Sequence, residues 1–303
     1  MIDLVTEPLS NATTLRALAE ITVLGVVSGA IGCWIVLYEI SYSAESLAHG
    51  MLPGLVIAAL IGAPLLLGGA VGVLVAAGLI VLATRYSAGN TDASITVVIT
   101  TLFGVGVLLA LSPSSPPGIQ SLLFGDLLGV TVVDIVISAA IGSAILLLLW
   151  AAHHRLLAIG FDSGSDRALG LSATAVSFLL LALVAVTVLV AVQSLGTLLV
   201  AAILIGPAAA ARLVTRRIGP MMAAAVAMAV LCGFAGIYAS FHFRTAAGAS
   251  VVVAIALCYL LAVFAGWMKG RRATGRRSGT DPTPPDEPDA GLIAHSPVTG
   301  VPG

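Results

Sequence analysis

Charge is what this sequence has least of. Of 303 residues, 9% are Asp, Glu, Lys or Arg and 59% are hydrophobic, too little polar surface to coat a soluble globule of that length. Lysine is nearly missing. Lys269 stands alone and is followed by Gly270, which excludes the G-x-x-x-x-G-K-[ST] phosphate loop, so the chain is not itself a P-loop ATPase. Cysteine is equally sparse: Cys33, Cys232 and Cys258 sit apart in apolar runs without a C-x-x-C or Cys/His grouping. That excludes a zinc knuckle or a disulfide framework and leaves them as small buried hydrophobes. A basic leader is missing too, because residues 1–20 carry Asp3, Glu7 and Glu20 against Arg16; no cleaved signal peptide is expected.

What is present is a series of long apolar runs. About nine can be drawn, over residues 21–38, 51–66, 68–84, 93–111, 132–151, 172–192, 195–211, 220–238 and 247–267. Each approaches the roughly 20 residues of helix that cross a hydrocarbon core. The second and third are joined by "GAPLLLGG" and the sixth and seventh meet at "VQSLG", so the expected count is nine within a range of eight to ten. None shows the dyad alternation of an outer-membrane strand, which leaves helices as the spanning form. The expected fold is therefore an all-α membrane protein, a polytopic helical bundle in the cell membrane.

Arginine orients it. Arg85, Arg155 with Arg167, the group Arg212, Arg216 and Arg217, and the tail "KGRRATGRR" fall in alternate loops, which makes those loops cytoplasmic, the N-terminus external and the C-terminus internal. The expected division is an extracytoplasmic segment over 1–18, a transmembrane domain over 19–268 and a disordered cytoplasmic tail over 269–303, rich in Pro, Gly and charge. Its arginines anchor to anionic lipid and call for no nucleic-acid partner. Small residues spaced as in "GVVSGAIG" allow close helix packing.

Ionisable residues inside such a chain call for a functional explanation. In "SYSAESLAHGMLPG", residues 41–54, Glu45 and His49 stand one helical turn apart and share a face if that stretch is helical. Carboxylate and imidazole both ligate zinc, and manganese accepts the same set with more weight on oxygen. The structural alternative has Ser43 capping a helix, with Glu45 in its first turn at the positive end of the dipole. In "FDSGSDRALGLSA", residues 161–173, Asp162 can cap a short docking helix on which Asp166 and Arg167 face water and Ala168, Leu169 and Gly170 form a small apolar knob. Asp126 lies in an external Pro-rich segment and is read as structural or gating, in a gate or half-inserted helix. His242, near an outer helix end, is a surface histidine or an entry ligand. Asp92 reads as a helix cap or an acidic site, and His153 and His154 as interfacial.

Taken together, "SYSAESLAHGMLPG", "LLFGDLLGVT", "FDSGSDRALG", "LGTLLVAAILIGPAAAARLV" and "GIYASFHFRTAAGASVVV" occur in the order and at about the separations of the ABC-3 family. The chain thus resembles the permease subunits of bacterial zinc and manganese ABC transporters over residues 25–267. That resemblance implies a homodimeric permease importing Zn2+ or Mn2+ as substrate, with no permanently bound cofactor. A cytoplasmic ATPase subunit would bind at Asp162 to Gly170, and an extracytoplasmic metal-binding protein would deliver the ion. The motif over residues 122–131 leans toward zinc. Where the family usually has aspartate-x-x-x-histidine facing the metal pathway, this chain has Glu45 and His49; Arg244 stands where an acidic residue is common and Ala246 where proline is common. The rival readings are a permease for iron chelates or cobalamin, which needs no Glu/His pair, and a secondary metal transporter or channel, which needs no ATPase.

Overall fold

The structure, a computed structural model, describes residues 11–86, 91–113, 125–161 and 173–277. Among them are nine helices: α1 (Ala12–Leu37), α2 (Ser41–Gly50), α3 (Leu52–Ile61), α4 (Leu65–Tyr86), α5 (Thr91–Ala110), α6 (Val132–Phe161), α7 (Ala173–Val214), α8 (Ile218–Phe243) and α9 (Ala247–Arg277). Residues up to Gly266 form one compact unit, and Trp267 onward forms another. Of the tail expected to be disordered, residues 278–303 lie outside the described residues.

Eight helical stretches are long and apolar enough to cross a membrane, inside the expected range. Their boundaries differ from the apolar runs in two places that matter. The first crossing starts at Ala12 instead of residue 21, so Glu20 lies inside it. The second runs over Ser41–Ile61, because α2 and α3 join through Met51 in a helical conformation with Pro53 in the first turn of α3, where a missing N–H costs nothing. Glu45 and His49 therefore sit inside a crossing and not between two. Helix α2 begins two residues before Ser43, with Ile40 at its N-cap and no side-chain cap. The alternative in which Ser43 caps the helix and Glu45 occupies its first turn is thereby corrected.

Helix α7 is the unusual one. At 42 residues it would measure about 63 Å, twice the roughly 30 Å of hydrocarbon, and its regular geometry breaks once, at Gly196 (φ 73°, ψ 163°). Only glycine adopts that conformation without strain. Neighbouring contacts show that the chain reverses there. Helices α2 and α3 return antiparallel to α1 after a short turn; α4 returns antiparallel to α3, with Gly54 against Gly72 and Gly68 against Ala58, and so runs with α1. The first limb of α7 runs against α4, since Leu66 shares a small cavity with Gln193 and Ser194, and Gly69, deeper along α4, meets the earlier Leu189. The second limb runs with α1, because Ser194 bonds Glu20 while Leu204 lies against Gly32. Counting α7 as two limbs gives nine passes among the described residues, alternating in direction.

Helix α1 is the central post. Its span is 72% buried, against 11% for that of α5, and it touches α2, α6, α7 and α8. Helix α6 runs parallel to it, tied by Ser138 to Glu20 at one end and by Tyr38 Oη donating to Leu156 O (2.8 Å) at the other. Helix α8 runs antiparallel, with Gly25 facing Val230, Gly29 facing Val226, and Ile21 facing Gly233. Lipid tails are as apolar as leucine, so close backbone approach and dispersion hold such helices together.

Gly32 is the tightest of these contacts: a Cβ there would fall 2.0 Å from Leu204 O, a backbone atom that cannot step aside. Gly32→Ala is expected to destabilise the bundle by about 1–3 kcal/mol or more, seen as earlier thermal unfolding in detergent. Gly78→Ala, where a Cβ meets nothing within 4 Å, should leave the transition in place.

Candidate metal centre

The site is built on α2, whose sequence lets one short helix show two faces. Ala44, Ser46, Leu47 and Ala48 are buried, with Ser46 Oγ donating back to Tyr42 O (2.5 Å) and the Tyr42 hydroxyl hydrogen-bonded to that of Thr96 on α5. Glu45 emerges on the other side, with its side chain 50% exposed against 19% for His49. The His49 ring meets Phe103 of α5 edge to face at 5.1 Å. Its Nε2 lies 3.9 Å from Glu45 Oε1, beyond hydrogen-bond range, and its buried Nδ1 has no hydrogen-bond partner. Packing fixes this imidazole, with its Nδ1 unpartnered among the described residues.

Glu45 opens onto a cleft of about 410 Å³. One wall is the second limb of α7, from Leu198 to Gly206, and the other is α9, from Val252 to Tyr259; among the described residues Glu45 is the only carboxylate on the lining. His49 does not line the cleft and stands one turn further along α2. Small side chains at Ala201, Ala202, Gly206 and Ala256 leave the volume open. Among the described residues, no third His, Cys, Asp or Glu joins the pair to make a metal-binding group. One chain therefore offers one oxygen donor group and one nitrogen donor, fewer than a dehydrated divalent ion needs.

The other sequence candidates lie elsewhere. Asp126 is exposed and closes its own turn, its Oδ1 accepting from Gly129 N at 3.0 Å; residues 125–131 are not helical. His242 is exposed at the end of α8, its ring 5.6 Å from that of Phe241. His153 packs edge to face on Trp34 at 5.4 Å. Asp162, Asp166, Arg167, Ala168, Leu169 and Gly170 lie outside the described residues, as does the side chain of Asp92.

One residue of consequence escapes sequence reading. Glu20 is wholly buried, its Oε1 accepting from Ser138 Oγ at 2.7 Å and from Ser194 Oγ at 2.9 Å. These bonds clasp α1, α6 and the reversal of α7 two residues before Gly196. Among the described residues no ion pair compensates it; Arg16, one turn earlier, is exposed. A signal existed in the spacing, since Glu20 falls on the same helical face as the buried Ala17, Ile21 and Leu24.

The alternating apolar passes make the chain a multi-pass protein of the bacterial cell membrane, with an ionisable pair placed inside one pass. Residues 10–266 match the family described as the ABC 3 transport family, and the chain belongs to that family. It is 31% identical over 258 residues to the "Manganese transport system membrane protein MntC" of Halalkalibacterium halodurans, covering 84% of this chain and 88% of the relative. It is 30% identical over 249 residues to the "Manganese import system permease protein ScaB" of Streptococcus gordonii, covering 82% and 90%. A "Chelated iron transport system membrane protein YfeD" of Yersinia pestis is 28% identical, covering 89% and 91%. Among solved structures, PsaBC from Streptococcus pneumoniae superposes with a TM-score of 0.80 at 30% identity, covering 86% of this chain and 95% of the other. The sequence lean toward zinc has no counterpart in these names.

Each serine hydroxyl on Glu20 is a charge-assisted or strongly polar bond in a dry setting. Ser138→Ala or Ser194→Ala is expected to cost about 1–3 kcal/mol, measured as earlier thermal unfolding in detergent. Ser143→Ala, whose hydroxyl bonds its own helix at Ala140 O, should change stability by less than about 0.5 kcal/mol.

Proposed function

We propose that the chain is the membrane-spanning subunit of an ABC importer for divalent transition-metal ions, manganese first among them, with ATP hydrolysed on a separate cytoplasmic subunit. The observation that carries this reading is Glu45 opening onto a cleft inside the membrane with His49 beside it. Its support from outside the chain is the manganese in the names of several relatives.

The chemistry follows from counting donors and charge. A twofold pair of chains brings two carboxylates and two imidazoles to a shared axis. Two carboxylates against a dication leave a neutral assembly, which removes most of the cost of holding a bare ion among apolar walls. Four protein donors suit a tetrahedral ion, or a six-coordinate one completed by water, and manganese favours the oxygen-rich case. A grip of this kind is also incomplete enough to release, as transport requires. Glutamate in place of the usual aspartate reaches one methylene further, which suits a half-exposed residue projecting into a wide cleft.

Movement comes from the partner chains. An ATPase engaging the segment from Asp162 to Gly170, which links α6 to α7, would shift the two limbs of α7 and open the Glu45 cleft to one side and then the other. A metal-binding protein on the external face would supply the ion. Iron-named relatives, one of them named for chelated iron, favour iron as a second cargo.

The deciding experiment is ATP-dependent uptake of Mn2+ by the reconstituted complex, with Fe2+ and Zn2+ as competitors. Glu45→Gln and His49→Ala are each expected to lower uptake at least tenfold, a loss of about the size that follows from disturbing a metal's ligand shell, while the complex still assembles with its ATPase. Glu45→Asp should retain uptake. Wild-type transport in both disruptive variants would remove the site.

A further inference from the structure

The second limb of α7 ends in a cluster of arginines that the transport reading leaves unused. Arg212, Arg216 and Arg217 line one cavity of about 270 Å³ together with Leu37, Ile218 and Met221. Three helices meet there, α1 at its last residue, α7 at its end and α8 at its start. All three arginines are exposed, and among the described residues none takes part in an ion pair. Among the described residues no carboxylate lines the cavity. Its remaining polar group, Thr215, donates its hydroxyl to Ala211 O at 2.6 Å and is satisfied locally. Three guanidinium groups thus share a concavity with nothing of opposite charge to hold.

The same cavity carries a second instruction. Helix α8 begins at Ile218 with Arg217 as N-cap and no side-chain cap, so the unbonded N–H groups of its first turn add positive potential at the cavity edge. The apolar members, Leu37, Ile218 and Met221, are buried or half-buried. The cavity is therefore cationic on one side and greasy on the other. Its position at helix ends is the level where arginine side chains reach from hydrocarbon to headgroups.

We propose that this cavity binds the phosphate headgroup of an anionic phospholipid, with the first part of an acyl chain against Leu37 and Met221. A guanidinium pairs with phosphate oxygens through parallel N–H donors, a geometry lysine cannot reproduce. A diphosphatidyl lipid, with two phosphates, matches three arginines better than a lipid with one. A free phosphate would use the guanidinium groups but not the apolar side. The lipid would brace the end of the helical limb whose other turns wall the Glu45 cleft.

The test uses the purified full-length chain in detergent. Native mass spectrometry measures retained lipid, and thermal unfolding is followed as cardiolipin, phosphatidylglycerol, phosphatidylcholine or inorganic phosphate is added. Cardiolipin should be retained and should raise the transition most, phosphatidylglycerol less, and phosphatidylcholine and inorganic phosphate not at all. Neutralising one arginine with Gln should weaken lipid binding about fivefold and neutralising all three about a hundredfold. Arg216→Lys and Arg217→Lys together separate guanidinium recognition from bulk charge, and should bind more weakly than wild type. A triple Gln variant that folds and holds cardiolipin as tightly as wild type would overturn the proposal. So would stabilisation by inorganic phosphate equal to that by cardiolipin, which would assign the cavity to a soluble anion. Equal retention of phosphatidylcholine would reduce it to a greasy groove.

Discussion

A carboxylate cannot stay inside a membrane without something to compensate it, and that constraint sorts the acidic residues of this chain into roles. Glu20 meets it in part internally: two serine hydroxyls from different helices converge on Oε1, while the buried Oε2 has no partner among the described residues, and the carboxyl becomes a clasp. Glu45 does not meet it internally. Its side chain is half exposed, its nearest ionic partner is an imidazole at 3.9 Å, and it faces open volume. The first residue is spent on structure, and the second faces the cleft, where the proposed function would use it. The difference lies in what surrounds them, since both are glutamates within membrane-spanning helices.

The clasp at Glu20 and the cleft at Glu45 are linked by the reversal in α7. Gly196 turns the chain back so that its second limb lies along α1, close enough at Gly32 that a methyl group would strike a backbone oxygen. That close approach sets where Leu198 to Gly206 stand, and those residues form one wall of the cleft. A shift at the turn would therefore move the wall opposite Glu45. Ser194, bonded to Glu20 next to the turn, resists such a shift.

Much of this was legible in the sequence, and the rest was not, for identifiable reasons. Long uniform apolar runs announce spanning helices because no other form satisfies the backbone in lipid. The pass spanned by α2 and α3 was misplaced because Ser41, Tyr42, Ser43, Glu45 and Ser46 interrupt hydropathy while remaining helical; the polar atoms of Tyr42, Ser46 and Glu45 turn to α5, to their own helix and to the cleft. Helix α1 was drawn too short for a similar reason, since a glutamate looks like an ending until its partners, 118 and 174 residues away, are known. The i, i+4 placement of Glu45 and His49 was readable from spacing alone. That one of them lines the cleft while the other packs behind it on Phe103 depends on how α5, α7 and α9 surround α2, which no local pattern encodes.

The unequal exposure of the pair bears on how an ion would be held and let go. A half-exposed carboxylate can swing, because its long side chain has several rotamers open toward the cleft. A ring wedged against Phe103 cannot, because the edge-to-face contact fixes its plane. On the proposed function, an ion entering the cleft would meet the exposed oxygen first and the packed nitrogen second, and release would begin with the oxygen letting go. Such an order makes affinity depend on the carboxylate and geometry depend on the imidazole. The extra methylene of glutamate then adds reach where movement is useful, and costs little precision because the rigid partner supplies it.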